Sequence, residues 1–155
     1  MTDAELLASF ENAPGVLRRA LVGLTHEQLH ARPIEGKWST HDVAIHLADA
    51  DAAFIHRLKR IIAEEHPTYH GWSETAFITN LVYHEQLAED AVQLIEVNHR
   101  QFARVMKALP AGWLERTGVH SERGVQTARD VLQYASWHIS HHLKFVAEKK
   151  AKLGI

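Results

Sequence analysis

The chain has 155 residues, of which 46% are hydrophobic, enough for one compact domain over residues 1–155. Its formal net charge of −2 offers no basic excess for nucleic acid or an anionic membrane surface. It has no cysteine, which excludes disulfides, thiolate metal ligands and a cysteine nucleophile and fits a reducing compartment.

The N-terminal stretch MTDAELLASFENAP carries acids and no continuous apolar core, unlike a signal peptide. No segment approaches the roughly 20 apolar residues of a membrane span, so the expectation is a cytoplasmic protein. Thr2-Asp3-Ala4-Glu5 forms a capping box, and the first long helix then extends to Leu21 or Val22, with Pro14-Gly15 able to kink or shorten it. Ser39, with Asp42 in the first turn, caps a second helix that continues to about Glu64 and stops at Pro67. A third spans about His84 to Leu109, ended by Pro110 and Gly112, and a fourth opens at Thr127 or Ala128 and reaches about Lys150. No strand-like alternation of useful length appears, so the expected fold class is all-α, a four-helix bundle. The links, about 24–38, 66–83 and 110–126, exceed the roughly two to eight residues usual in simple bundles; such links permit crossovers and often carry function.

Thirteen histidines are the compositional oddity. Three pairs have His-x-x-x-His spacing: His26/His30, His66/His70 and His138/His142. The first pair spells HEQLH, the zinc-protease template. Thr25 and Gln28 make that stretch a capping box, Leu24 and Leu29 a hydrophobic staple, and Pro33 disfavours helix at Arg32. It therefore reads as a short capped turn, with His26 on a first turn too frayed to hold a metal. His66 and His70 flank Pro67 in a link, where helical spacing does not apply, and read as solvated.

The third pair lies on the fourth helix. Positions four apart share a helix face, and His138 and His142 line up with Val131, Ala135 and Phe145, while His141 turns towards solvent. On the second helix Val43, Leu47, Ala50, Phe54, Leu58 and Ile61 form the apolar stripe, with His46 at its edge and Ala50 and Ala53 leaving space beside it. His41 and His56 project elsewhere and read as solvated. Periodicity alone leaves two readings open. His46, His138 and His142 either hold a divalent metal with an open coordination position, or are core histidines satisfied separately.

The stretch RPIEGKWSTHDVAIHLADAD (32–51) resembles the first motif of the DinB/YfiT-like family of metal-dependent enzymes, and YASWHISHHLKFV (134–146) resembles its second. The segment WLERTGVHSERG (113–124) between them is similar as well. The resemblance implies His46, His138 and His142 as metal ligands, a bundle of up-down-down-up topology, and frequent homodimers. Many members carry glutamine three residues after the last ligand; here that residue is Phe145.

An ion on three neutral imidazoles keeps its double positive charge and lowers the pKa of a bound water or thiol. Three imidazoles with an open position suit zinc or a similar divalent metal such as nickel. The resemblance points to a low-molecular-weight thiol, as in relatives that are thiol-dependent transferases and isomerases, hence to S-transferase activity on a small electrophile. A metal-dependent hydrolase is the alternative, and a non-catalytic metal-binding or stress-response module the third reading. Asp49 reads more readily as a solvated helix acid than as a partner for a ligand N–H. Tyr83, Glu85 and Arg123, in or beside the links, are further site candidates that read more readily as surface residues, and Trp38 packs at the base of the second helix.

Overall fold

Three of the four long helices begin where the sequence writes a cap. In the computed structural model, which describes residues 1–155, the helices in chain order are α1 (Asp3–Leu21), α2 (His26–His30), α3 (Thr40–Ala63), α4 (Glu74–Asn80), α5 (Ala88–Ala108) and α6 (Ala128–Leu153). Thr2 with Glu5, Ser39 with Asp42 and Thr127 with Asp130 form complete capping boxes at α1, α3 and α6. Pro14 sits inside α1 without ending it, and Gly154, at φ +74°, closes α6 in the left-handed conformation that glycine adopts without strain.

Contacts along the helices fix their directions. Arg129 meets Asp3, and Lys150 donates to the Ala20 carbonyl, so α1 and α6 run parallel. Lys107 pairs with Glu11 and Arg18 with Glu89, so α1 and α5 are antiparallel. Phe54 packs on Tyr134 while His46 packs on His142, which sets α3 antiparallel to α6. Asn98 donates to Asp51, and Lys59 to Gln101, placing α3 parallel to α5. The four-helix bundle is therefore up-down-down-up, with α1 and α3 on one diagonal and α5 and α6 on the other.

The links hold more structure than the sequence pattern indicates. A three-stranded sheet joins two of them: β1 (Thr68–Tyr69) pairs in parallel with β2 (Thr117–His120), which pairs antiparallel with β3 (Gly124–Thr127). The expectation of no strands is corrected here; strands of two to four residues are too short for alternation to register, and β1 and β2 come from different links. Gly118 lies where strand and helix meet, and a Cβ there would stand 2.8 Å from the Tyr69 ring and 2.9 Å from Ile61. The third long helix starts at Ala88 rather than His84, because residues Tyr83–Glu85 form a 3-10 turn that anchors Tyr83 in the core.

The core has two apolar halves. One gathers Phe10, Phe54, Leu58, Phe102 and Leu132; the other gathers Leu17, Val43, Leu47, Ile95 and Val146. Between them lies one fully satisfied buried polar group. His99 meets the Phe10 carbonyl at 2.7 Å and the Asp51 carboxylate at 2.6 Å, its ring stacked on Phe10. One polar cluster, between α3 and α6, is not resolved in this way.

Candidate metal centre

α3 and α6 cross so that the inward faces foreseen for both meet. His46 is fully buried, His138 5% exposed and His142 half-buried. One ring nitrogen from each lies within 4.8 Å of the other two, and no other group of three histidine or acidic side chains in the chain meets that condition. The Nε2 atoms of His46 and His138 are 3.3 Å apart. Two imidazoles on one tetrahedral zinc, each with a bond of about 2.0–2.1 Å, have nitrogens about 3.3–3.4 Å apart. The nearest pair thus already has the spacing of ligands sharing one ion, and the donor set fits a borderline divalent metal.

The rings are also neutral, as ligands must be. Burial pushes His138 down to about 3, with His142 and His46 adding to the effect. Burial pushes His142 down to about 4, with His46 adding. For His46, burial lowers the value, and the carboxylates of Glu74 and Asp49 oppose it. The Nδ1 of His46 has no hydrogen-bond partner. That one unsatisfied buried nitrogen is costly by itself, about 1–3 kcal/mol.

Aromatic walls hold the trio. Trp38 lies 5.0 Å from the His46 ring and parallel to His142 at 6.4 Å, so it does pack at the base of α3, directly against the cluster. Phe54 and Tyr134 enclose His138. Phe145 meets His142 edge-on, closing with an apolar ring the position where the resemblance leads one to expect an amide.

Two cavities border the cluster, one at His138 and one at His142. One of about 70 Å³ is bounded by His138, Arg57, Trp72, Glu74 and Arg123. Arg57 is 7% exposed; it donates to the His70 carbonyl and lies over the rings of Phe54, Tyr69 and Trp72, with no carboxylate paired to it. The Trp72 indole N–H is buried without an acceptor. The other cavity, about 290 Å³, is bounded by His142, Trp38, Phe145 and Lys149.

The remaining expectations sort by position. Asp49 is not a solvated acid: it is half-buried and accepts a 2.5 Å hydrogen bond from the Tyr83 hydroxyl, and Tyr83 is 1% exposed rather than at the surface. Burial, aided by Asp49, raises Tyr83 well above the usual phenol range, so it stays a donor. Arg123 is exposed over the Tyr134 ring, beside the smaller cavity, and Glu85 is exposed. His56 is exposed as expected, but His41 is not: it is 2% exposed and its Nε2 meets the Gln86 carbonyl at 2.8 Å. HEQLH is a five-residue capped helix whose His30 ring stacks on His41, with its Nδ1 on the His26 carbonyl. Glu74 went unnoticed in the sequence because it lies in a link; only its place on a short helix beside α3 brings it near the trio.

The family model of the DinB superfamily matches residues 9–146. The chain belongs to the DinB superfamily. A relative from Oceanobacillus iheyensis, named "putative metal-dependent hydrolase", is 30% identical over 92% of this chain and 82% of its own length. YfiT of Bacillus subtilis, given the same description, is 23% identical over 93% of this chain and 82% of its own. The solved structure of YfiT, described as a probable metal-dependent hydrolase with an unusual four-helix bundle topology, superposes with a TM-score of 0.91 at 22% identity, covering 99% of this chain and 90% of that one. A second four-helix bundle, TT2238, gives a TM-score of 0.63 at 25% identity, covering 95% and 99%. DinB superfamily membership and a cluster of three histidines together support a metal-dependent function. No helix is long and apolar enough to cross a membrane.

Proposed function

We propose that this DinB superfamily protein is a metal-dependent hydrolase whose divalent ion, zinc or nickel, is held by His46, His138 and His142. The observation that carries this reading is the convergence of three imidazoles from two helices, two buried and one half-buried, the nearest nitrogens 3.3 Å apart, with a cavity bordering His142 and another bordering His138. The chemistry such an ion supplies when bound is acidification of a coordinated water and polarisation of a carbonyl or phosphoryl oxygen.

The chain's own groups do the rest. In the smaller cavity the Trp72 N–H has no acceptor, and Arg57, which donates to the His70 carbonyl, has no carboxylate hydrogen-bonded to it; both donors are placed to bind an oxygen that gains negative charge. Glu74 and Glu122 both border the same cavity; of the two it is the Glu74 carboxylate that acts on His46, which suits it to take a proton from water there. Asp49 is less suited to that task because its Oδ2 already accepts the Tyr83 hydroxyl; the pair instead fixes α3 against the segment preceding α5. Trp38, Phe54 and Tyr134 exclude water from the outer faces of the rings.

Untagged protein, stripped of metal and reloaded with one equivalent of zinc or nickel, tests this reading on a panel of small esters, amides and phosphoesters, with and without an added low-molecular-weight thiol. Thiol-independent, metal-dependent turnover is expected, with elemental analysis giving about one ion per chain. His46→Ala should abolish both. Unchanged metal content in that variant overturns the ligand assignment. Turnover that appears only with thiol converts the assignment to the S-transferase chemistry.

A further inference from the structure

The fold leaves the charge of Lys149 unanswered. Its side chain is 2% exposed, a burial lysine almost never reaches unless paired. Asp42, which comes nearest to serving it from α3, is already held by Arg32 at 2.9 Å and by the Ser39 N–H at 3.0 Å. Glu148, its neighbour in sequence, is exposed. Burial pushes the ammonium below its usual value; Glu148 and Asp42 oppose that, and Lys37 adds to it.

Lys149 borders the 290 Å³ cavity that has His142 at its other end. The two residues are seven positions apart on α6, two turns along one face, a rise of about 10 Å. Trp38 and Phe145 line the space between, with Ile34 beside them and Lys37 at the exposed rim. The volume sits near the lower end of the roughly 300–1,000 Å³ typical of small-molecule sites. Two ammoniums against the single carboxylate of Glu148 leave one positive charge, which matches a monoanion and would half-compensate a phosphate dianion.

We propose that this cavity is the substrate subsite, and that the substrate is a small carboxylate with a flat apolar body. The carboxylate binds between Lys149 and Lys37, the body lies against Trp38 and Phe145, and the reacting bond reaches His142. The orientation rests on the hydrolytic reading of the histidine trio; the anion site does not.

Calorimetric titration of the metal-free protein tests it, using 3-phenylpropionate, 3-phenylpropionamide and phenyl phosphate as probes. The carboxylate should bind at least tenfold more tightly than the amide and more tightly than the phosphate ester. Lys149→Met should remove that preference while leaving amide binding unchanged. Lys37→Met, at the exposed rim and safe for folding, should reduce it about threefold. Equal binding of carboxylate and amide overturns the subsite, as does tighter binding of phenyl phosphate or a preference that survives both variants. Carboxylate binding without any metal-dependent turnover refutes the hydrolytic reading alone. Metal-dependent turnover of neutral esters without carboxylate preference refutes the subsite alone.

Discussion

Without metal, the histidine trio makes the protein acid-labile in a defined window. His138 titrates near 6.5 when unfolded and about 3 when folded, so the unfolded chain takes up its proton first. Stability is then greatest above pH 6.5 and falls as pH drops below it, until the folded values are reached. Between pH 7.5 and pH 5 the loss from His138 is about 2 kcal/mol. His142, at about 4 but half-buried, adds less after solvent screening, on the order of 1 kcal/mol. Urea denaturation of chelator-treated protein at the two pH values should show a loss of at least about 3 kcal/mol from these two rings, with His46, also lowered by burial, adding in the same direction. In His138→Leu the same change should shrink by about 2 kcal/mol, because a neutral side chain replaces the most strongly shifted imidazole. An acid loss of full size in that variant would refute the claim that the His138 ring is held neutral by burial.

Two further outcomes test the packing around the site. Asp51→Ala strands the buried His99 ring and should cost about 3 kcal/mol, lowering Tm by about 6–12 °C in a thermal melt. Gly118→Ala forces a methyl against Tyr69, Ile61 and the Pro67 carbonyl and should destabilise by about 1–3 kcal/mol in urea, whereas the same change at Gly15, whose nearest neighbour is the mobile end of Arg19, should be close to neutral or stabilising.

What the sequence shows clearly is what helices write locally. Thr2, Ser39 and Thr127 mark three helix starts because a cap is decided within four residues. The inward faces of α3 and α6 follow from 3.6-residue periodicity, which is why His46, His138 and His142 stand out in the sequence alone. Burial by the links is a different matter. His41 lies off the stripe shared by Val43, Leu47 and Phe54, so its face reads as solvent-facing; it is covered instead by α2 and by the chain at Gln86. Tyr83, Glu74 and the strands fail for the same reason, since each is defined by a partner dozens of residues away. Lys149 escapes because an ammonium on a helix face reads as solvated, and its 2% exposure depends on how distant parts of the chain, such as the segment of Trp38 that shares its cavity, pack around α6.

His46 and His138 stand 92 residues apart in the chain, with α4, α5 and the whole sheet strung between them. An ion that ties them therefore does more than chemistry. Closing a loop of that length in the unfolded ensemble corresponds, by the chain-entropy relation used for disulfides, to about 4.6 kcal/mol. In a chain with no cysteine, an ion held by these histidines would be the one available cross-link between its first and last thirds, and its removal would then loosen the protein as reduction loosens a secreted domain.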